Sequence, residues 1–174
     1  NSNGWTALMR ASYEGRLEVV KYLVEKGVKI DQQNKVGDTA LILASEKGHL
    51  DIVKLLVING AKIDIQSNGG NTALIWASLY GHLEIVQYLF ENGAKIDIQS
   101  NGGNTALIFA SYYGHLDIIK LLVEKGAKID IQDQYGDTAL IKASFNGYLE
   151  VVKYLVENGA NIYIKNTSRE TALD

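Results

Sequence analysis

Gly70-Asn71-Thr72-Ala73-Leu74-Ile75-Trp76-Ala77-Ser78, followed by Gly81-His82-Leu83-Glu84-Ile85-Val86 and Gly93-Ala94, decides the fold, because the same slots return along the whole chain. Thr-Ala-Leu begins at Thr6, Thr39, Thr72, Thr105, Thr138 and Thr171, always thirty-three residues apart and without insertion. A unit of that length is too small to bury its own apolar face, so it has to stack on copies of itself as a solenoid. The register divides the chain into repeats 1–33, 34–66, 67–99, 100–132 and 133–165 and a partial sixth, 166–174, all within a single domain. Such a chain offers a surface, which puts binding ahead of catalysis.

Each unit reads as helix, turn, helix and hairpin-like loop. Thr6 suits an N-cap, Ala7 to Glu14 can follow as a two-turn helix, and Gly15 stops it. From Leu17 to Lys26 the residues Leu17, Val20, Leu23 and Val24 fall at helical spacing, Glu18 sits near the positive end of the helix dipole, and Gly27 closes the segment. An extended stretch carrying Ile30 then leads to Gly37, whose permissive dihedrals suit a turn. Ser67 to Asn71 and Ser100 to Asn104 are identical, and their Asn-Gly pair predicts a tight hairpin turn. On the first helix, Leu8, Ala11 and Ser12 and their equivalents share a face and keep their identity, which predicts the buried side.

At this point the chain resembles the ankyrin repeat, with a Thr-Ala-Leu-Ile variant of that family's Thr-Pro-Leu-His motif. The resemblance implies an all-α ankyrin-repeat solenoid of stacked helix-turn-helix units joined by hairpin-like loops. Two departures are systematic. Ala7, Ala40, Ala73, Ala106 and Ala139 stand where the family usually has Pro, keeping helix propensity but giving up a preset backbone angle. Met9, Ile42, Ile75, Ile108 and Ile141 stand where the family usually has His, so apolar packing between repeats is expected to replace an imidazole network. Arg169 takes the turn-glycine slot in the sixth unit, and a distorted or loose final turn is expected there.

Composition narrows the function classes. The chain is 47% hydrophobic, ample for a core. A net charge of −3, with Lys and Arg dispersed along the chain, gives no basic stripe for neutralising phosphates and argues against nucleic acid. Cysteine is absent, which rules out disulfides and thiolate metal sites and fits a reducing compartment. No apolar run is long enough to insert directly into a membrane. A cytoplasmic or otherwise intracellular location is expected, delivery into a host cell included.

No catalytic, cofactor-binding or metal-binding residue is expected. His49, His82 and His115 all occupy the Gly-His slot opening a second helix, on different repeats, and equivalent slots stand about 8 to 10 Å apart in packed helices, too far to share one ion. Glu18, Asp51, Glu84, Asp117 and Glu150 repeat at helix starts, where the dipole accounts for them. Asp31, Asp64, Asp97 and Asp130 each follow a lysine by two residues and read as a solvated structural ladder. The Gly-rich stretch from Ser67 lacks the lysine and spacing of a phosphate loop.

Function is therefore sought where the repeats differ. Slots ten, thirteen and fourteen face away from the buried side and hold Arg10, Tyr13, Glu14; Leu43, Glu46, Lys47; Trp76, Leu79, Tyr80; Phe109, Tyr112, Tyr113; and Lys142, Phe145, Asn146. Seven of these fifteen are aromatic against 9% for the chain, so the excess lies on one face and is densest in repeats three and four. In the ankyrin family this face and the loop tips line the concave groove where partners dock. The expected partner-binding residues are Trp76, Leu79, Tyr80, Phe109, Tyr112, Tyr113, Phe145, Tyr13, Trp5 and Tyr135, with Trp76, Tyr80, Phe109, Tyr112 and Tyr113 forming one aromatic wall.

The expected function is a noncatalytic protein-protein interaction scaffold that binds another protein. Two further readings are a targeting or regulatory arm of a larger enzyme or channel and a groove for a small molecule or sugar stacking on the rings. The chain starts without Met and stops as a sixth unit begins, as expected of part of a longer protein. Leu8, Ala11, Leu17, Val20 and Leu23 match their internal counterparts, and 166–174 is too short to cover repeat five. Open apolar ends are thus expected, covered by further repeats or by end-to-end self-stacking.

Overall fold

The computed structural model describes residues 3–174, and among them lie ten α-helices and no strand. They group into two compact units. The first, Asn1–Lys95, carries α1 (Ala7–Tyr13), α2 (Leu17–Glu25), α3 (Ala40–Lys47), α4 (Leu50–Ile58), α5 (Ala73–Tyr80) and α6 (Leu83–Glu91). The second, Ile96–Asp174, carries α7 (Ala106–Tyr113), α8 (Leu116–Glu124), α9 (Ala139–Phe145) and α10 (Leu149–Glu157).

Every first helix starts as the sequence dictates. The hydroxyls of Thr6, Thr39, Thr72, Thr105 and Thr138 accept the backbone N–H three residues on, filling one of the donors a helix start leaves open. Such a cap contributes about 1 kcal/mol. At the other end Gly48 is left-handed with φ 77°, and a Cβ there would stand 2.6 Å from the His82 ring of the next repeat. That slot needs glycine for two independent reasons, its backbone angle and its neighbour.

Within a repeat the two helices pack antiparallel. Between repeats of the first unit α1 lies on α3, α3 on α5, α2 on α4 and α4 on α6; in the second unit α7 lies on α9 and α8 on α10. Leu41, Leu74, Leu107 and Leu140 are buried, as are Met9, Ile42, Ile75, Ile108 and Ile141 in the slot where apolar packing is expected to replace histidine. Each fully buried side chain of this size contributes about 1.5 to 3 kcal/mol. Ser12, Ser45, Ser78 and Ser111 are wholly buried, and their hydroxyls find no hydrogen-bond partner among the described residues. The packing at that slot uses the small volume of serine, and the hydroxyl gives nothing in return.

The loops are hairpin-like without being strands. Each tip closes on itself, as in Asn34 N–H to Asp38 O at 3.0 Å and Ser67 N–H to Asn71 O at 2.9 Å. Each also bonds to a neighbouring tip of its own unit, as in Asn68 N–H to Val36 O and Thr167 N–H to Tyr135 O, both 2.9 Å. The Asn-Gly pairs lie at the centre of the expected tight turns, closed by Gly70 N–H to Ser67 O and Gly103 N–H to Ser100 O, both 2.8 Å, but the left-handed residue is the glycine after each pair and not the asparagine. Among described non-glycine residues only Arg169 has positive φ, and in repeat three it is Gly70, φ 78°, that is left-handed. Asn68 and Gly69 are ordinary turn residues, while Ser67 Oγ accepts the Asn71 N–H at 3.3 Å. The last turn also departs from expectation. Arg169 adopts φ 66°, and the turn closes as the others do, with Asn166 N–H to Glu170 O at 3.0 Å and Arg169 N–H to Asn166 O at 2.9 Å. The turn is well formed, at a steric cost borne by Arg169.

Candidate partner-binding face

In the first unit the face carries Trp5, Tyr13, Trp76, Leu79 and Tyr80. Trp5 and Tyr13 meet edge to face at 5.4 Å, with the Arg10 guanidinium 4.4 Å over the indole and the Lys47 ammonium 4.6 Å over Tyr13. Contact with Tyr13 and then Glu46 holds the Lys47 ammonium above the usual lysine range. Trp76 stacks on Tyr80 at 5.8 Å. Trp76 and Leu79 are half-buried and Tyr80 is exposed. The Trp76 Nε1–H and the Asn71 Oδ1 are both buried, and neither finds a hydrogen-bond partner among the described residues. Leu43 corrects the reading of this face, because at 2% exposure it belongs to the core.

The second unit carries Phe109, Tyr112, Tyr113, Tyr135 and Phe145. Tyr112 and Tyr113 meet edge to face at 5.0 Å. Phe145 is 84% exposed, and Tyr112, Tyr113 and Tyr135 are exposed, while Phe109 is half-buried. Two adjoining grooves share Tyr112, Tyr135 and Lys142: one of about 160 Å³ reaches Phe109 and Tyr113, and one of about 310 Å³ reaches Phe145, Asp137 and Glu170. The Lys142 ammonium sits between the two, 2.7 Å from Asp137 Oδ2 and 2.9 Å from Asp133 Oδ2. Burial pulls this ammonium down, but hydrogen bonds to Asp137 and Asp133 and their charges outweigh it and hold it above the usual lysine range.

The residues set aside as structural have definite partners. His49 Nε2 lies 3.1 Å from Tyr13 O and His82 Nε2 lies 3.0 Å from Glu46 O, so each ring ties its repeat to the one before. A carbonyl only accepts, which places the proton on Nε2. Asp31, Asp64, Asp97 and Asp130 accept the backbone N–H of Lys62, Lys95, Lys128 and Asn161 at 3.0 to 3.1 Å. The acidic ladder is thus a set of bonds between repeats.

Two features escaped the sequence reading. Gln33 and Gln132 each donate from Nε2 to their own turn-glycine carbonyl and to the carbonyl of Gln66 or Lys165, thirty-three residues on. Gln recurs in that slot at Gln66 and Gln99, so the signal was present. The Lys142–Asp133–Asp137 cluster carried a subtler one: in repeat five both Asn34 and Leu43 of repeat two are replaced together, by Asp133 and Lys142.

The first repeat leaves apolar surface open: Val19 is 50% exposed, while Ile52, Ile85, Ile118 and Val151 in the same slot are buried. Leu8, Ala11 and Val20 are buried and Leu17 and Leu23 half-buried, and Tyr22 is exposed. In the last repeat Phe145, Leu149 and Val156 are exposed, and a groove of about 410 Å³ lies between Ile141, Ser144, Phe145 and residues 170–174.

Helix-turn-helix units at a fixed register, hairpin-like tips and a variable front face define a repeat protein of the ankyrin class. The family model for ankyrin repeats in three copies matches residues 27–100 and 93–166, and that for the single ankyrin repeat matches 3–35. The chain belongs to the ankyrin-repeat family. Ankyrin repeats are generally protein-protein interaction modules, and proteins built of them are typically noncatalytic. No curated protein matches this chain. None of its helices is long and apolar enough to cross a membrane, among the described residues.

Proposed function

We propose that this chain is a noncatalytic recognition module that binds another protein through the front face of its first helices and its loop tips. The observation that carries this reading is the contrast between the two faces of each first helix. Slots eight, nine and eleven are buried in every repeat, while Tyr80, Tyr112, Tyr113 and Phe145 are exposed on the other side. Large aromatics are expensive to leave in water and are enriched where proteins dock. On the same face Arg10 over Trp5 and Lys47 over Tyr13 steady two further rings by cation–π contact, which presents them in fixed orientations and lowers the entropy lost on binding.

The test uses Tyr80→Ala and Tyr113→Ala, whose exposure separates binding from folding better than the half-buried Trp76 does. Against a partner recovered by affinity capture, each is expected to weaken binding by about 2 kcal/mol in calorimetry with the melting temperature unchanged. Full affinity in a folded double variant would move the site to the loop tips around Trp5 and Tyr135.

A further inference from the structure

The two adjoining grooves of the second unit carry more chemistry than a generic aromatic surface. Their walls are rings: Phe109 and Tyr113 on one side, Phe145 on the other, Tyr112 and Tyr135 shared. Their polar groups are acidic. Asp133, Asp137 and Glu170 contribute three negative charges, and Lys142 offsets one.

Lys142 does not make the site a receptor for anions. Its ammonium is bound by both Asp137 and Asp133 at 2.7 and 2.9 Å, and its side chain is largely covered, so an incoming carboxylate would meet two carboxylates first. The Asp133 side chain is 1% exposed and its Oδ1 is committed to the N–H groups of Tyr135 and Asp137. Asp137 and Glu170 are joined by Asn166, whose Nδ2 donates to Asp137 Oδ1 at 2.9 Å and to Glu170 Oε2 at 3.1 Å. That bridge holds two carboxylates side by side at one edge of the 310 Å³ groove. Aromatic faces carry negative quadrupoles, so the rings and the carboxylates favour the same kind of guest, a cation with an apolar stem.

We infer that this groove receives a basic side chain, arginine or lysine, from a protein partner, with the stem lying between Tyr112, Tyr135 and Phe145 and the cation against Asp137 and Glu170. This rests on the reading of the face as a protein-docking surface and specifies the partner's chemistry. Arginine suits it better than lysine, because a planar guanidinium can stack on a tyrosine ring while bonding two carboxylates. Charge complementarity commits the occupant: the residual charge of the groove is negative, and its volume is that of a side chain with the adjacent main chain.

The probes are N-acetyl-arginine amide, N-acetyl-leucine amide and N-acetyl-glutamate amide, titrated into the full 174-residue chain labelled with nitrogen-15. The arginine compound is expected to give saturable shifts at the amides of Tyr112, Tyr135 and Asp137, at least about tenfold tighter than either other compound, as a cation–π contact and an ion pair together provide. Asp137→Asn removes the charge and leaves one amide oxygen to accept from either Lys142 or Asn166, and is expected to lose about fivefold in affinity, with the melting temperature followed in parallel. Tyr135→Ala, at an exposed position, removes a wall whose ring lies 5.8 Å from the Lys142 ammonium, keeps the backbone N–H that Asp133 accepts, and is expected to lose a similar factor. Absence of saturable shifts with the arginine compound, or equal or tighter binding of the glutamate compound, overturns the inference. Peptides selected from a random display library separate it from the docking reading. Enrichment of a basic residue that is lost in Tyr135→Ala supports the inference. Enrichment of peptides lacking basic residues, sensitive to Tyr113→Ala, overturns it and leaves protein docking standing.

Discussion

The loop tips of repeats two and five have the same backbone and opposite electrostatics. In both, the first tip residue spends one oxygen on the two following loop amides: Asn34 Oδ1 accepts from Val36 and Asp38 at 3.0 and 2.9 Å, and Asp133 Oδ1 from Tyr135 and Asp137 at 2.8 and 2.9 Å. The remaining atom differs. Asp133 turns Oδ2 to Lys142, while in repeat two Asn34 Nδ2 is buried without a clear partner and the slot of Lys142 is filled by the core residue Leu43. Asp38, the equivalent of Asp137, therefore has no cation beside it. Burial raises its pKa above the usual carboxylate range, the Glu46 charge raises it further, and Asn34 only partly opposes this. One scaffold can thus hold a charged cluster or an apolar plug at the same place, provided both slots change together.

The largest effect expected from breaking this pairing is in repeat five. Lys142→Met keeps the packing of the stem but leaves the buried Asp133 carboxylate without its cation, and is expected to cost about 1 to 3 kcal/mol in chemical denaturation. Installing the repeat-two pair, Lys142→Leu with Asp133→Asn, is expected to cost less than Lys142→Leu alone. Additive losses would show that the two slots are not coupled.

Repeat two sharpens the comparison through pH. A carboxyl whose folded pKa is raised binds its proton more tightly in the folded state, so stability falls as pH rises from the unfolded value, near 3.9, through the raised folded value. Above that window Asp38 carries its full penalty. Asp38→Asn is expected to stabilise the protein modestly at neutral pH and to lose that advantage as the solution is acidified below the window. An advantage independent of pH would point to packing instead of charge.

The smallest effect lies at a third tip, where Arg169 holds the left-handed angle that Gly37 and Gly136 hold elsewhere. Arg169→Gly relieves that strain but adds freedom to the unfolded chain, for a net gain of about 0.5 to 1 kcal/mol. It is expected to appear as slower hydrogen exchange at the amides of positions 166 and 169, which close this turn. Unchanged exchange would mean that the turn tolerates arginine without strain.

Much of the architecture was legible in the residues because its determinants are local. The thirty-three-residue register, the threonine caps and the buried Leu, Ile and Ala slots all follow from short-range periodicity and from side chains that bond within their own turn. Site residues were legible only as exposed slots on one face, and Leu43, 2% exposed in such a slot, shows why that is incomplete: periodicity gives a direction on the helix, while packing beyond the helix decides whether that direction reaches water.

What the tertiary structure decided are the bonds that leave a repeat. The Asp31 carboxylate reaching Lys62, the His49 ring reaching Tyr13 and the Gln33 amide reaching Gln66 join atoms more than thirty residues apart. Their slots recur in the sequence, but recurrence cannot distinguish a solvated charge from one that receives a neighbour's amide. The Asn68-Gly69 pair carries the same lesson: its tight turn is local, but only the fold shows that Gly70 takes the left-handed angle and that Asn68 N–H reaches Val36 O of the tip before it. Likewise Asp133 and Lys142 are only two charged residues nine apart until the loop folds back over its helix and sets them 2.9 Å from one another.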